Sequence, residues 1–184
     1  YDLRNSKYKP SAGNQTQFFQ ELPLVSDSKE ISNTLIFTQF KKLSKTSDTV
    51  GKASIYFKAI NSIDSSSDVR ISKRGNVPYN RLRGFERGKI GPVDNNDFIG
   101  GNYISALNLS TDLPFLLPTV ETVDFSLFVD AANVWGVDYD STIDDKSFIR
   151  SSTGIGMNVL TPVGPLSFSL SKPITKKSSD KTET

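Results

Sequence analysis

From Val123 to Trp135 the chain alternates with period two. One set of positions carries Val123, Phe125, Leu127, Val129 and Ala131. The interleaved set carries Asp124, Ser126, Phe128, Asp130 and Ala132. Such alternation predicts a β-strand with one apolar and one polar face. The same period recurs in Leu166–Ser171, where Leu166, Phe168 and Leu170 face away from Ser167, Ser169 and Ser171. It recurs in Lys52–Ile60, with Ala53, Ile55, Phe57 and Ala59 set against Lys52, Ser54, Tyr56 and Lys58. Ile149–Val159 sets Ile149, Ile155, Met157 and Val159 against Arg150, Ser152, Gly154, Gly156 and Asn158. Tyr103, Leu107 and Leu109 alternate with Asn102, Ala106 and Asn108, Ile31–Lys42 reads as a further strand, and Asn14–Glu21 is the faintest. This predicts an all-β chain of about seven strands of roughly 8–12 residues, near the length a tilted strand needs to cross a bilayer. No amphipathic helix stands out.

The connections differ in kind. Lys9–Gly13 and Thr161–Pro165 are short or Pro-rich, and Leu113–Pro118 is somewhat longer. Between them lie the polar stretches Val25–Lys29, Gly136–Ser147 and the long run Asn61–Phe98. Short turns alternating with long polar loops match an outer-membrane barrel, with turns on the periplasmic side and loops outside. A soluble β-sandwich, the alternative that periodicity leaves open, has no need of that alternation.

Composition narrows the picture further. Only 36 % of the 184 residues are apolar, yet 12 Phe and 6 Tyr are spread along the chain, so it is not disordered in character. No stretch approaches the roughly 18 consecutive apolar residues of a membrane-spanning helix, a test that barrel strands escape because only alternate positions are apolar. A net charge of +2 with mixed signs argues against a nucleic-acid partner. The absence of Cys and His removes thiol nucleophiles, histidine acid–base pairs and Cys/His zinc sites from this segment. Asp138, Asp140, Asp144 and Asp145 form an acidic loop, but EF-hand spacing is missing and a solvated external loop is expected. Gly154-Ile155-Gly156 lacks the third glycine and the helix of a dinucleotide site. Lys172, Lys176, Lys177 and Lys181 read as a mixed-sign solvated loop, and Trp135 with Tyr139 as an aromatic girdle or a local packing pair. No cofactor and no metal are expected.

Five stretches in order resemble the end of a BamA-type barrel, of the bacterial surface antigen and outer-membrane assembly superfamily. Tyr8-Lys9-Pro10-Ser11-Ala12-Gly13 is similar to that family's Y-x-P-T-x-G turn. Leu82-Arg83-Gly84-Phe85, followed by Gly91-Pro92 and by Gly100-Gly101-Asn102, resembles its V-R-G-F loop motif and the glycines after it. Phe128–Trp135 resembles its F-x-D-x-G-x-V-W strand, and Ile149–Gly156, with Gly154 and Gly156, its L-R-x-S-x-G-x-G strand. Thr161-Pro162-Val163-Gly164-Pro165-Leu166 resembles its S-P-x-G-P-L turn. The chain departs from the family in Leu82 for Val, in Asn108 where a Glu is frequent, and in Ala132 for Gly. Gly75-Asn76-Val77-Pro78-Tyr79 stands where an aromatic and a Gly-Gly pair are usual.

The resemblance implies residues 1–184 as a partial transmembrane domain, the C-terminal portion of a sixteen-stranded antiparallel barrel. They run from about the end of the eighth strand through the fifteenth, with the final strand and the periplasmic POTRA repeats outside these residues. It implies that the loop at about 61–98 folds into the lumen and brings Arg83 to the inner wall. An Arg there needs a partner. Asp130, on the polar face of its strand, is the expected anchor, while Asn108 offers a neutral amide, so one charge pair is expected to pin the loop where two would be usual. Gly84 lets the loop tip turn, Phe85 packs on the wall or the loop, and Gly154 and Gly156 keep the wall thin.

The implied function is non-enzymatic: folding and insertion of β-barrel proteins into the outer membrane of a Gram-negative bacterium. The implied partners are unfolded outer-membrane proteins, accessory lipoproteins and outer-membrane lipid, with no nucleic acid. The alternatives are a translocation or two-partner secretion transporter of the same superfamily, and a passive pore barrel, which has no need of the loop motif. A displayed enzyme would need a catalytic domain outside this chain.

Overall fold

The computed structural model describes residues 1–23, 29–44, 46–64, 66–114, 116 and 122–183. Seven long strands build one sheet: β1 (Gly13–Glu21), β2 (Glu30–Lys42), β3 (Val50–Ser62), β6 (Tyr103–Asp112), β7 (Val123–Trp135), β8 (Arg150–Thr161) and β9 (Gly164–Thr175). Two short strands, β4 (Val93–Asp94) and β5 (Asp97–Phe98), pair as a small hairpin inside the β3–β6 connection. The sheet order is β1-β2-β3-β6-β7-β8-β9 and every pairing is antiparallel, so each long strand lies beside its neighbour in sequence. The sheet does not close on itself; β1 and β9 end it. Tyr1–Arg4 runs along part of the β1 edge, where the Leu3 N–H donates to the Asn14 carbonyl at 2.8 Å. No helix of the described residues is long and apolar enough to cross a membrane.

The faintest sequence signal, Asn14–Glu21, lies in β1 and pairs along its whole length with β2. A turn that the pattern left unmarked joins β2 to β3. It is closed by the Leu43 N–H on the Thr49 carbonyl at 2.9 Å and by Lys42 on Asp48 at 2.7 Å. Of the expected connection Val25–Lys29 only Lys29 is among the described residues, and of Leu113–Pro118 only 113, 114 and 116 are.

The pleat sorts side chains as the alternation predicts. One row across the sheet reads Thr38, Ser54, Asn108, Asp130 and Ser152, and the next reads Ile36, Tyr56, Ala106, Ala132 and Arg150. This inner face is covered by the β3–β6 connection. Leu82, Phe85, Val77 and Ile90 from that loop form one cluster with Tyr56, Ile104, Ala106, Ala132 and Val134 from the wall. Full burial of a Leu or Phe contributes about 1.5–3 kcal/mol each. The opposite face carries exposed Phe37, Ile55, Leu107, Leu109, Leu127, Val129, Ile155 and Leu170. Polar groups inside and an apolar band outside suit a sheet whose outer solvent is hydrocarbon.

Candidate functional site

The site begins with the fixed alternation of β7. Because Asp130 shares a face with Phe128 and Ala132, the pleat alone aims its carboxylate at the covering loop. The loop then brings Arg83 over it. Arg83 Nε lies 2.7 Å from Asp130 Oδ2 and Nη2 lies 2.9 Å from Oδ1, a two-pronged fork on a fully buried carboxylate. The Arg83 backbone N–H adds a bond to Oδ2 at 3.3 Å. The guanidinium carbon also lies over the Phe128 ring, 3.3 Å from its centroid. The same cation thus satisfies the buried charge with a planar fork and lies over an aromatic ring; a Lys ammonium could make either contact but has no fork to match the carboxylate.

Gly154 and Gly156 make room for this stack. A Cβ on Gly154 would stand 2.7 Å from Phe128 Cζ and 2.1 Å from the Leu170 carbonyl oxygen, and one on Gly156 would reach 2.9 Å from Ser126 Oγ. Gly84, at φ +86°, turns the loop tip where a Cβ would meet Ser171 Oγ at 2.8 Å. Beside it Phe85 is buried in the loop–wall cluster, as is Leu82.

Asn108 does more than offer an amide to the anchor. Its Nδ2 donates to Asp130 Oδ1 at 2.8 Å and to the Arg81 carbonyl at 2.9 Å, and its Oδ1 accepts from Arg81 Nη1 at 3.1 Å. Arg81 Nη1 also donates to Ser54 Oγ at 2.7 Å, which in turn bonds Thr38 Oγ1 at 2.9 Å. A continuous polar chain therefore runs along one row of the wall from β2 to β7, with the loop's Arg81 and Arg83 inserted in it. Arg81 was not singled out by the motifs; it lies two residues from Arg83, and only the register shows that both meet the wall. Below them opens a polar hollow of about 730 Å³ lined by Lys52, Ser54, Arg81, Arg83, Asn108 and Ser126 among others.

The remaining motif residues frame the loop's exit. Gly91 approaches Val134, Pro92 is fully buried, Gly101 lies against the Trp135 backbone, and Gly75 and Gly101 exchange N–H···O bonds of 2.9 Å. Gly100 lies against the Gly75 carbonyl. Asn102 donates its side-chain amide to Asp138 Oδ2 at 2.9 Å. Gly164 and Pro165 open β9 next to its turn, with Pro165 in register with Leu160.

Asp138 and Asp144 are exposed, as a solvated loop implies, but Asp138 also has fixed partners. It pairs with Arg74, whose side chain is fully buried, and it accepts the Val69 N–H at 2.9 Å. Burial works to raise its pKa, but the Val69 N–H, the Asn102 amide and the Arg74 charge prevail and hold it below 3.8. A second charge pair thus holds the base of the loop, in addition to the Arg83 pair that seats the motif on the wall. The other acids of the loop have partners too: Asp140 accepts from Thr142, Asp144 from Lys177 and Asp145 from the Val137 N–H. Of the two readings of Trp135 and Tyr139, the local packing pair needs correction: their rings do not stack on each other. Trp135 packs on Tyr103 with centroids 5.7 Å apart, and the Tyr139 hydroxyl donates to Asp94 at 2.7 Å.

A third pair went unnoticed in the sequence. Arg150, fully buried at the start of β8, forks onto Asp180 with Nε–Oδ2 and Nη2–Oδ1 both at 3.0 Å. Its signal was present, since an Arg on the polar face of a barrel strand needs a carboxylate. The partner, 30 residues away in a loop, obeys no spacing rule.

All of residues 1–184 match the Omp85 superfamily domain. Over 108 residues, 57% of this chain, it is 30% identical to the outer membrane protein assembly factor BamA of Neorickettsia risticii, covering 15% of that protein. It is 32% identical over 130 residues to BamA of Neisseria meningitidis serogroup B, covering 54% of this chain and 16% of that one. The chain therefore spans about a sixth of these relatives' length. Its structure superposes along its full length on the crystal structure of BamA from Haemophilus ducreyi lacking POTRA domains 1–3. The TM-score is 0.86 at 29% identity, over 39% of that chain.

Proposed function

The chain belongs to the Omp85 superfamily, and from that premise we propose that it forms the loop-bearing wall of an outer-membrane barrel that folds and inserts other β-barrel proteins. The observation that carries this reading is the seating of the Leu82–Phe85 motif on the inner wall, with Arg83 forked onto Asp130. A passive pore needs no such seating. The matched relatives are both named as outer membrane protein assembly factors, which favours assembly over the other activities of the superfamily. The role is non-enzymatic: unpaired backbone groups are expensive in hydrocarbon, so a barrel that shelters client strands while they pair lowers the barrier to insertion. Its partners are unfolded outer-membrane proteins, accessory lipoproteins and lipid, and its place is the outer membrane. The wall and its loop hold the shape of the lumen while insertion proceeds.

The test is complementation in cells that depend on the full-length protein. Arg83→Ala is expected to lower the amounts of other outer-membrane barrels several-fold while the variant itself still reaches the membrane. Unchanged barrel levels with unchanged heat-modifiable mobility would count against the reading.

A further inference from the structure

The segment after β9 does not lead away from the wall. Its Lys181 N–H donates to the Lys89 carbonyl at 3.1 Å, and its Lys181 carbonyl accepts the Glu86 N–H at 3.1 Å. The Glu183 N–H donates to the Gly84 carbonyl at 3.2 Å. Phe85 and Thr182 thereby face each other as an antiparallel bridge. Three backbone bonds join this strap to the two sides of the motif's turn, so the strap and the motif behave as one short ladder.

The strap is tied down separately. Asp180, one residue before the ladder, is buried and takes the full fork of Arg150 from β8. It also accepts the Lys177 N–H at 2.6 Å, which closes the strap's own turn. Arg150 in addition donates Nη1 to the Phe148 carbonyl at 3.0 Å. A buried ion pair with its remaining bonds satisfied resists separation, because either partner left alone is a buried charge without compensation. The motif loop is therefore gripped from two sides: on the wall by Asp130, and on its outer side by a strap whose hold on the wall is Arg150.

We propose that Arg150 and Asp180 are positioning residues for the Leu82–Phe85 motif, acting through the strap 180–183 as a clasp over the loop. Their hydrogen bonds and ion pair go to each other, to Phe148 and to Lys177, not to the motif. With the clasp undone, Arg83 keeps its fork, but the loop tip from Gly84 to Lys89 loses its second support and samples a wider range of positions. The consequence for client insertion rests on the assembly reading above, whereas the clasp itself does not.

The test uses the full-length protein in membrane, with spin labels on Arg87→Cys, an exposed loop-tip position, and on Thr153→Cys, an exposed position of β8. A control pair on Leu109→Cys and Thr153→Cys reports the wall alone. Asp180→Asn is expected to broaden the loop-to-wall distance distribution and leave the wall-to-wall distribution unchanged. If both broaden together, the pair serves general stability; if neither broadens, the strap holds nothing; either result overturns the proposal. Should Asp180→Asn fail to reach the membrane, Glu183→Pro decides, since it removes the N–H donated to Gly84 without touching the buried pair. Broadening confined to the loop then supports the clasp, and an unchanged loop overturns it. A loop that broadens while client barrels still assemble normally would instead count against the assembly role of the loop, with the clasp intact.

Discussion

Val129 and Asp130 are neighbours in β7, and their surroundings are opposite. Val129, seventh of the strand's thirteen residues, points outward and is 45% exposed; Asp130 points inward and is 0% exposed. The inner face gathers charges, and the most deeply buried of them stand in pairs: Arg83 with Asp130, Arg150 with Asp180, and at the loop base Arg74 with Asp138. The outer face carries apolar side chains that touch little of the protein. What differs is the solvent each face is built for. Outside, a side chain needs only to be apolar, and many residues serve. Inside, a side chain must match one specific partner, and few do.

That contrast can be broken most strongly from within. Asp130→Ala leaves Arg83 on the wall without its carboxylate and takes from Asn108 one of its two acceptors, and is expected to cost about 3–5 kcal/mol, the range for breaking a buried pair. Heat-modifiable mobility of the full-length protein at rising temperature measures it. A loss no larger than that of an exposed pair would show the fork to be dispensable. From outside, Val129→Lys places a charge in the middle of the lipid-facing band and is expected to cost about 2–4 kcal/mol. The same substitution near the end of a strand should cost less, and denaturant titration in vesicles compares the two.

Acid provides a gentler probe. Asp138 has its pKa held below 3.8 in the folded protein. Its contribution is therefore complete above 3.8 and is lost as pH falls through the depressed value. Asp138→Asn is expected to flatten the pH dependence of hydrogen exchange around Val69 and Asn102 below pH 3.8 and to leave it unchanged near neutrality. An identical acid profile in both proteins would show that Arg74 does not depend on the carboxylate. The smallest effect belongs to Lys177, whose bond to an exposed Asp144 lies in solvent. Lys177→Ala should change stability by about 1 kcal/mol or less, and a larger loss would mean that the strap depends on that side chain as well as on Asp180.

Much of this was legible before any coordinates. Alternation marked all seven long strands, even the faint one at Asn14–Glu21, because a half-buried strand must repeat every two residues. It also put Asp130, Asn108, Ser152 and Arg150 on the inner face. The order of the motifs named the superfamily, and the resemblance singled out Arg83. What stayed hidden were the contacts between elements distant in sequence. Asp138 looked like one acid among several in an external loop, and its role appeared only when Arg74 and the Val69 N–H were brought to it from 64 and 69 residues away. Arg81 looked like an ordinary neighbour of the motif until the register of β3 and β6 set Ser54 and Asn108 side by side beneath it.

By itself, then, the sequence determined which residues form strands and which face each residue takes, since both follow from local backbone geometry and the period of the pleat. Only the tertiary structure decided which charge meets which. Pairing depends on how the loop after β3 and the strap after β9 fold back over the wall, and no periodicity in the chain encodes the distance between an arginine and a carboxylate joined only through space.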